Sequence, residues 1–181
     1  MKIKLYIDFD GVILNTIDVS YKKIKEIYGE NATTEEAQKY YQNIDWDSFL
    51  KECSPINNSV HNLKKLADSE LYDVAVLTHV LSTHEEEVKK KFLMEQIPNI
   101  EFIPVRKPFP KWASVSCENA VLVDDYGENL DLWQEHGGIP VKFSIKEKKY
   151  QYLTIKSLEE LMELYPIFIN SIQHNYTKVR N

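Results

Sequence analysis

Residues 2–12, KIKLYIDFDGV, join a short apolar strand to two carboxylates and a glycine. Residues 3–7 alternate apolar and more polar side chains, which predicts a β-strand. Asp8 and Asp10 follow two residues apart, so both carboxylates project from the same side of the chain. Gly11 permits the sharp turn that brings backbone groups close to a ligand. Because ligands of open parallel sheets bind at the carboxyl ends of the strands, this stretch predicts an α/β fold with a ligand site at that edge.

The remainder of the chain alternates short apolar runs with helical segments. The further strands predicted from these runs are residues 73–77, 101–105, 120–123 and 140–143. Runs this short and this apolar are typical of buried parallel strands, with helices as the crossover connections. Ser82 and Ser157 are predicted to cap two of these helices, and a third is predicted over 127–136, before Gly137. The sequence therefore predicts the α/β class, with a doubly wound (Rossmann-like) parallel sheet.

One segment, residues 15–72, interrupts this alternation with helical signals alone. Thr33 begins a capping box, Asp45 is a candidate helix cap, and Ser54-Pro55 is a candidate helix start. We therefore expect a small all-helical insertion after the first strand, at the carboxyl edge of the sheet. The core domain is then residues 1–14 and 73–181, and the insertion is residues 15–72.

Composition indicates which classes of molecule the protein can bind. The 181 residues carry 22 Lys and Arg against 28 Asp and Glu, a formal charge of −6, and 43% of them are hydrophobic. That balance fits a globular domain and argues against binding a nucleic-acid polymer or a membrane surface, both of which attract clustered positive charge. Cys53 and Cys117 fit reduced thiols, so we expect a cytoplasmic protein. A small anionic substrate stays compatible, because a bound metal and local lysines can hold a phosphate.

A second acidic pair, Asp124-Asp125, ends the predicted strand 120–123. Standing alone, this pair could cap the helix that follows. Together with Asp8 and Asp10, it places two acidic pairs at the ends of two strands, and such pairs repel unless a cation relieves them. Mg²⁺ typically takes one or two carboxylates plus phosphate oxygens as ligands. The two pairs therefore predict a site for a hard divalent cation such as Mg²⁺.

A hydroxyl and a lysine complete the candidate site. Thr78 closes the predicted strand 73–77 and offers its hydroxyl and backbone N–H at the same edge. Most lysines are solvated, but two carboxylates, Mg²⁺ and a phosphate dianion leave a net negative charge that an ammonium would reduce. Lys107 and Lys111 are the candidates, and Lys111 is favoured because Lys107 precedes Pro108 in a stretch biased away from helix.

In this order the motifs resemble those of the haloacid dehalogenase (HAD) superfamily of phosphohydrolases, over most of residues 1–145. The resemblance implies in-line phosphoryl transfer, in which Asp8 attacks phosphorus and forms an aspartyl-phosphate. Asp10 would protonate the leaving group and then activate the hydrolytic water. The residues implied to bind the substrate phosphate are Thr78, Gly11 and Lys111, with Lys107 as the alternative lysine.

The same resemblance implies Mg²⁺ as the cofactor and a small phosphorylated compound as the substrate. The metal ligands would be the carboxylates of Asp8 and Asp124 and the backbone carbonyl of Asp10, with Asp125 beside them as a brace. The insertion over residues 15–72 looks like a type C1 cap. The function implied is a Mg²⁺-dependent phosphatase that hydrolyses a small phosphomonoester.

Chain size, cap length and the Asp124-Asp125 ending are also similar to the 5′(3′)-deoxyribonucleotidase branch of that superfamily. A nucleoside or deoxynucleoside monophosphate is therefore one candidate substrate. The stretch Thr78-His79-Val80 departs from the second motif of that branch, and the sequence assigns no role to His79.

Two alternatives stay open at the level of the sequence. Aromatic side chains of the insertion could stack on a nucleobase or could pack a small helical bundle. They are Tyr21, Tyr40, Tyr41, Trp46 and Phe49. The chain could also be a non-catalytic regulatory protein that binds phosphate or metal. Asp10 argues against that reading, because a binding protein needs no second carboxylate as an acid and base.

Overall fold

The computed structural model describes residues 2–179, and it describes side chains through His174. The strands in this part of the chain are β1 (Ile3–Ile7), β2 (Tyr72–Val80), β3 (Glu101–Arg106), β4 (Val121–Asp124), β5 (Ile139–Phe143) and β6 (Leu153–Ile155). The α-helices are α1 (Thr16–Tyr28), α2 (Thr34–Gln42), α3 (Trp46–Glu52), α4 (Ser59–Asp68), α5 (Thr83–Gln96), α6 (Gly127–Glu135) and α7 (Leu161–Val179). Short 3-10 helices cover Lys111–Ala113 and Leu158–Glu160. None of the helices within residues 2–179 is long and apolar enough to cross a membrane.

The strand order is β3-β2-β1-β4-β5-β6, and every neighbouring pair is parallel. β1 lies inside the sheet, with Ile7 opposite Val76 of β2 on one side and Val123 of β4 on the other. The chain runs outward from β1 to β3 and returns to the other side of β1 at β4. This confirms the predicted doubly wound parallel sheet. Its topological switch point lies between β1 and β4, where Asp8 leaves the first strand.

Both faces of β1 are buried. Leu5 and Ile7 belong to one cluster of core side chains, whereas Tyr6 belongs to a second cluster that includes Trp133 of α6. Because successive residues of a strand point to opposite faces, each face of the sheet has its own layer of core packing. The two layers hold the carboxyl end of β1 in a fixed position.

The predicted helix caps are confirmed. Thr33 and Glu36 form a complete capping box at the start of α2. The side chains of Asp45, Ser82 and Ser157 each accept a backbone N–H from the first turn of the helix that follows. These signals are readable from the sequence because a cap satisfies its hydrogen bonds within three residues.

The helix start predicted at Ser54-Pro55 is wrong. Pro55 instead forms an isolated bridge with Leu14, and α4 begins only at Ser59. Asn57 and Asn58 lie between these points with φ angles of 46° and 58°. This left-handed backbone cannot continue a right-handed helix, and asparagine tolerates it better than most residues.

Two strands also differ from the prediction. β2 continues through Thr78 to Val80, because its last residues pair with β3 and place Val80 opposite Arg106. Thr78 therefore lies inside a strand rather than at its end. β6 is missing from the prediction because its three residues are too few to show a hydrophobic period.

Helix α4 packs on the sheet although it falls within the segment predicted to form the cap. Leu63 and Leu66 are fully buried, and α4 contacts β2 and the 3-10 helix Leu158–Glu160. The division of the chain at residues 15–72 stays a prediction. These contacts favour a cap that ends before α4.

We expect Leu66→Ala to lower the free energy of unfolding by about 2–5 kcal/mol, because it leaves a cavity at a fully buried position between α4 and the sheet. Ile27→Ala on α1, where the side chain is 61% exposed, is the control and should have a much smaller effect. Urea unfolding followed by circular dichroism measures both. Equally small losses in the two variants would contradict the burial of α4.

Candidate active site

Strands β1 and β4 bring three carboxylates to one point at the carboxyl edge of the sheet. The Asp8 N–H donates to the Val123 carbonyl at 2.9 Å, which extends the pairing one residue beyond β1. Asp8 therefore lies beside the end of β4. Carboxylate oxygens of Asp8, Asp124 and Asp125 lie within 4.8 Å of one another. The structure thus brings together three of the four acidic residues predicted for the site.

Lys111 lies between two of these carboxylates. Its Nζ is 2.9 Å from Asp8 Oδ1 and 2.6 Å from Asp124 Oδ2, and the side chain is only 2% exposed. Burial lowers the pKa of Lys111, but the carboxylates of Asp124 and Asp8 outweigh burial and raise this pKa above its ordinary value. Lys107 is exposed and lies at the cavity described below. Of the two candidate lysines, the structure therefore places Lys111 among the carboxylates.

Asp124 and Asp125 differ in burial and in the hydrogen bonds that their carboxylates accept. Asp124 is fully buried, and both of its oxygens accept hydrogen bonds. Oδ1 accepts from the Tyr126 N–H at 2.8 Å, whereas Oδ2 accepts from Lys111 and from Asn129 Nδ2 at 2.9 Å. Asp125 is half-buried and faces the cavity. The sequence predicted Asp124 as metal ligand and Asp125 as brace; these roles stay a prediction, and the contacts favour the opposite order.

The carboxylate group fits a bound cation. Burial raises the pKa of Asp8 to about 8 despite the opposing effect of Lys111. Burial, followed by the charge of Asp124, raises the pKa of Asp125 to about 7. When all of these groups are ionised, three carboxylates face one ammonium, and burial makes the excess negative charge costly. A divalent cation with a preference for oxygen ligands would relieve the remaining charge.

Asp10 is not part of this carboxylate group and has its own partners. Its Oδ1 accepts from the Thr16 hydroxyl at 2.8 Å, and its Oδ2 accepts from Lys89 Nζ at 2.6 Å. The hydroxyl of Thr78, which is fully buried, lies 3.3 Å from the same Oδ2. The predicted roles of Thr78 in phosphate binding and of the Asp10 carbonyl in metal binding stay predictions.

Gly11 makes room for the second acidic pair. Its φ of 71° lies in the left-handed region, and a Cβ at this position would lie 2.4 Å from Asp125 Oδ2. The Gly11 N–H donates to the Leu14 carbonyl at 2.9 Å. The observed contribution of Gly11 is thus the turn and the close approach of Asp125, while its phosphate contact stays a prediction.

A cavity of about 440 Å³ opens over the site. Asp8, Asp10 and Asp125 lie in its wall. The insertion supplies aromatic wall residues, and of the five aromatics singled out in the sequence these are Tyr21, Tyr41 and Trp46. Phe49 packs in the main core cluster, to which Trp46 also belongs. The aromatic set is therefore divided between the cavity and the protein interior.

His79 also lies in the cavity wall. Its Nε2 is 3.1 Å from the Phe109 carbonyl. Burial, together with the positive charge of Lys111, lowers the pKa of His79 to about 4. His79 is therefore neutral near pH 7 and adds no cation to the cavity.

Sequence reasoning missed the residues that hold the acidic pairs in place. Thr16 and Lys89 hold Asp10, and Asn129 holds Asp124. Lys89 belongs to the charged run of α5, residues 85–91, and resembles a solvated surface lysine. Lys89 lies four residues after Glu85, but Lys90 and Lys91 follow a glutamate at the same spacing, so the sequence does not single out Lys89.

Comparisons with known proteins show the fold. No protein-family model matches the chain, and no curated protein sequence matches it. Several solved structures do match. A HAD-superfamily hydrolase of subfamily IA from Geobacter sulfurreducens has a TM-score of 0.60 and 17% identity, and the match covers 91% of this chain and 100% of the other.

Two further structures are similar to the same extent. A HAD phosphatase from Thermococcus onnurineus has a TM-score of 0.57 and 17% identity, over 91% of this chain and 97% of that one. The HAD hydrolase YfnB from Bacillus subtilis, bound to magnesium, has a TM-score of 0.61 and 16% identity, over 91% of this chain and 99% of that one. The chain therefore has the fold of HAD-superfamily hydrolases.

We expect the thermal stability of the metal-free protein to fall between about pH 6.5 and pH 8. A native carboxyl with a raised pKa keeps its proton where the unfolded carboxyl has lost it, so stability decreases as the pH rises through the pKa values of Asp125, about 7, and Asp8, about 8. Mg²⁺ should raise the melting temperature more at the upper pH, because it replaces these protons.

Differential scanning calorimetry at both pH values, with Mg²⁺ and with EDTA, measures the effect. Asp125→Asn removes one of the two titrating groups and should reduce the pH dependence. A parent protein whose stability rises across this range would contradict the raised pKa values.

Proposed function

We propose that this protein is a Mg²⁺-dependent phosphatase that hydrolyses a small phosphomonoester through an aspartyl-phosphate on Asp8. The observation that carries the proposal is the position of Asp8. Asp8 is 6% exposed, lies at the switch point of the sheet and lines the cavity. It also contacts the buried lysine Lys111. The HAD hydrolase fold supports a hydrolase of this kind.

The contacts of Asp8 suggest which oxygen attacks. The Phe9 N–H donates to Oδ1 at 2.8 Å, and Lys111 Nζ lies 2.9 Å from the same atom. Both contacts fix the carboxylate through Oδ1, which leaves Oδ2 for attack on phosphorus. The first step forms the bond between Oδ2 and phosphorus and breaks the bond between phosphorus and the leaving oxygen.

Asp10 is the proposed acid and base. It lies in the cavity wall beside Asp8 and would give its proton to the leaving alkoxide in the first step. In the second step it would take a proton from water, whose oxygen attacks phosphorus. The bond between Asp8 and phosphorus then breaks, which releases phosphate and restores both residues.

Asp8, Asp125 and the backbone carbonyl of Asp10 are the ligands we propose for Mg²⁺. Asp124 is proposed to orient Lys111, because its oxygens already accept three hydrogen bonds. When bound, the cation neutralises charge on the phosphate. Lys111 is the proposed phosphate-neutralising lysine, because its Nζ lies 2.9 Å from the proposed nucleophile.

The cavity favours a substrate with one phosphate and an apolar or planar body. Four carboxylates line it, from Asp8, Asp10, Glu85 and Asp125, and Lys107 is the one lysine or arginine among the described lining residues. A second anionic group would meet mostly negative charge. The aromatic wall from the insertion suits a flat ring, so a nucleoside or deoxynucleoside monophosphate is the specific substrate we propose.

We expect Asp8→Asn to abolish phosphate release while the protein stays folded, because the amide keeps the size of the side chain but is no nucleophile. The assay is phosphate released from p-nitrophenyl phosphate and from a set of nucleoside monophosphates, with Mg²⁺ and with EDTA. Beryllofluoride should bind the parent and not the variant. Parent-like turnover by Asp8→Asn would refute the nucleophile, and an inactive parent that still binds Mg²⁺ and phosphate would favour the regulatory alternative.

We expect Asp125→Asn to weaken Mg²⁺ binding more than Asp124→Asn does, by about tenfold or more, since Asp125 faces the cavity whereas Asp124 is occupied by neighbouring donors. Calorimetric titration of each folded variant with Mg²⁺ gives the two affinities. A greater loss of Mg²⁺ affinity in Asp124→Asn would instead support the roles predicted from the sequence, with Asp124 as the metal ligand and Asp125 as the brace.

A further inference from the structure

We propose that Lys89 is a positioning residue that holds Asp10 in the orientation needed for proton transfer. This inference rests on the proposed phosphatase function. It concerns a residue of α5 that lies outside the lining of the cavity.

All three donors of the Lys89 ammonium have acceptors. Nζ is 2.6 Å from Asp10 Oδ2, 2.6 Å from Glu85 Oε1 and 3.2 Å from the His79 carbonyl. The side chain is fully buried. A lysine is almost never fully buried unless it is paired, because removing its charge from water is costly. The buried ammonium of Lys89 therefore requires anionic partners, and these are the carboxylates of Asp10 and Glu85.

Aromatic rings from two parts of the chain close around the ammonium. Nζ lies 5.3 Å from the centre of the Phe9 ring and 5.0 Å from the centre of the Trp46 ring. Phe9 separates the two carboxylates of the first motif, and Trp46 belongs to the insertion. These rings attract the cation and exclude water. Lys89 is thus contacted by the segment that follows β1, by the insertion and by its own helix.

The donors around Asp10 distinguish its two oxygens. An ammonium can only donate, so Oδ2 acts as an acceptor as long as Lys89 contacts it. A hydroxyl can donate or accept, so the Thr16 hydroxyl at 2.8 Å from Oδ1 is compatible with a proton on that oxygen. Lys89 therefore leaves Oδ1 as the oxygen that passes the proton to the leaving group.

Loss of Lys89 should lower kcat/KM most for substrates whose leaving oxygen needs a proton. p-Nitrophenyl phosphate and phenyl phosphate have nearly the same shape, but p-nitrophenolate is the more stable anion and departs with less help. The ratio of their kcat/KM values reports the acid in the first chemical step. This ratio does not depend on the fraction of active protein, so it separates positioning from partial unfolding.

We expect Lys89→Met to lower kcat/KM for phenyl phosphate by about 10- to 100-fold, with a clearly smaller loss for p-nitrophenyl phosphate. Asp10→Asn should give the largest change in the ratio. Adding Lys89→Met to Asp10→Asn should change it no further, because the lysine acts through that carboxylate.

Glu85→Gln is the matched control. It removes a buried charge from the same network but keeps the contact between Lys89 and Asp10, so it should retain the substrate ratio of the parent at whatever absolute rate. Lys89→Gln is the second variant for the case in which Lys89→Met does not fold, and the same change in ratio is expected. Circular dichroism checks the fold of each.

An equal loss for both substrates in a folded Lys89 variant would overturn the inference and leave the proposed function intact. A ratio changed as much by Glu85→Gln as by Lys89→Met would also overturn it. A parent protein that releases phosphate from neither ester would overturn the proposed function and this inference together.

Discussion

The ion pairs of Lys111 with Asp8 and Asp124 are the interaction on which the candidate site depends. One ammonium, 2% exposed, lies 2.9 Å and 2.6 Å from carboxylates at the ends of two neighbouring strands. Without it, the two buried carboxylates would repel each other across the switch point of the sheet. Even with it, the pKa values of Asp8 and Asp125 are raised. Three carboxylates against one ammonium give the ionised site an excess of negative charge that suits a divalent cation.

A second lysine keeps the two carboxylates of the first motif apart. Asp8 is paired with Lys111, whereas Asp10 is paired with Lys89 and with the Thr16 hydroxyl. The two side chains therefore have different partners although only one residue separates them. This separation gives each carboxylate its own set of donors, which suits the different roles proposed for Asp8 as nucleophile and for Asp10 as acid and base. The lysines come from different elements, so each carboxylate is fixed independently.

The sequence predicted the parallel sheet except for β6, the four helix caps and the positions of the acidic residues at strand ends because their signals are local. An apolar strand followed at once by carboxylates reveals both the strand and its functional end, as at Ile3–Ile7 and Asp8. The predictions were wrong where contacts with residues distant in sequence determine the local structure. Pairing with β3 extends β2 past Thr78, and the bridge of Pro55 to Leu14 replaces a helix start. Neither partner is visible within a window of ten residues.

The sequence by itself determined which chemical groups are present at the sheet edge: four carboxylates, a threonine and a lysine from one of two positions. The tertiary structure decided how they pair. It placed Lys111 rather than Lys107 among the carboxylates, turned Asp125 toward the cavity, and buried Lys89 against Asp10. The physical reason is that spacing along the chain fixes which strand end carries a side chain. Which charges meet depends on strand order, loop path and helix packing, and these are set by contacts between residues far apart in sequence.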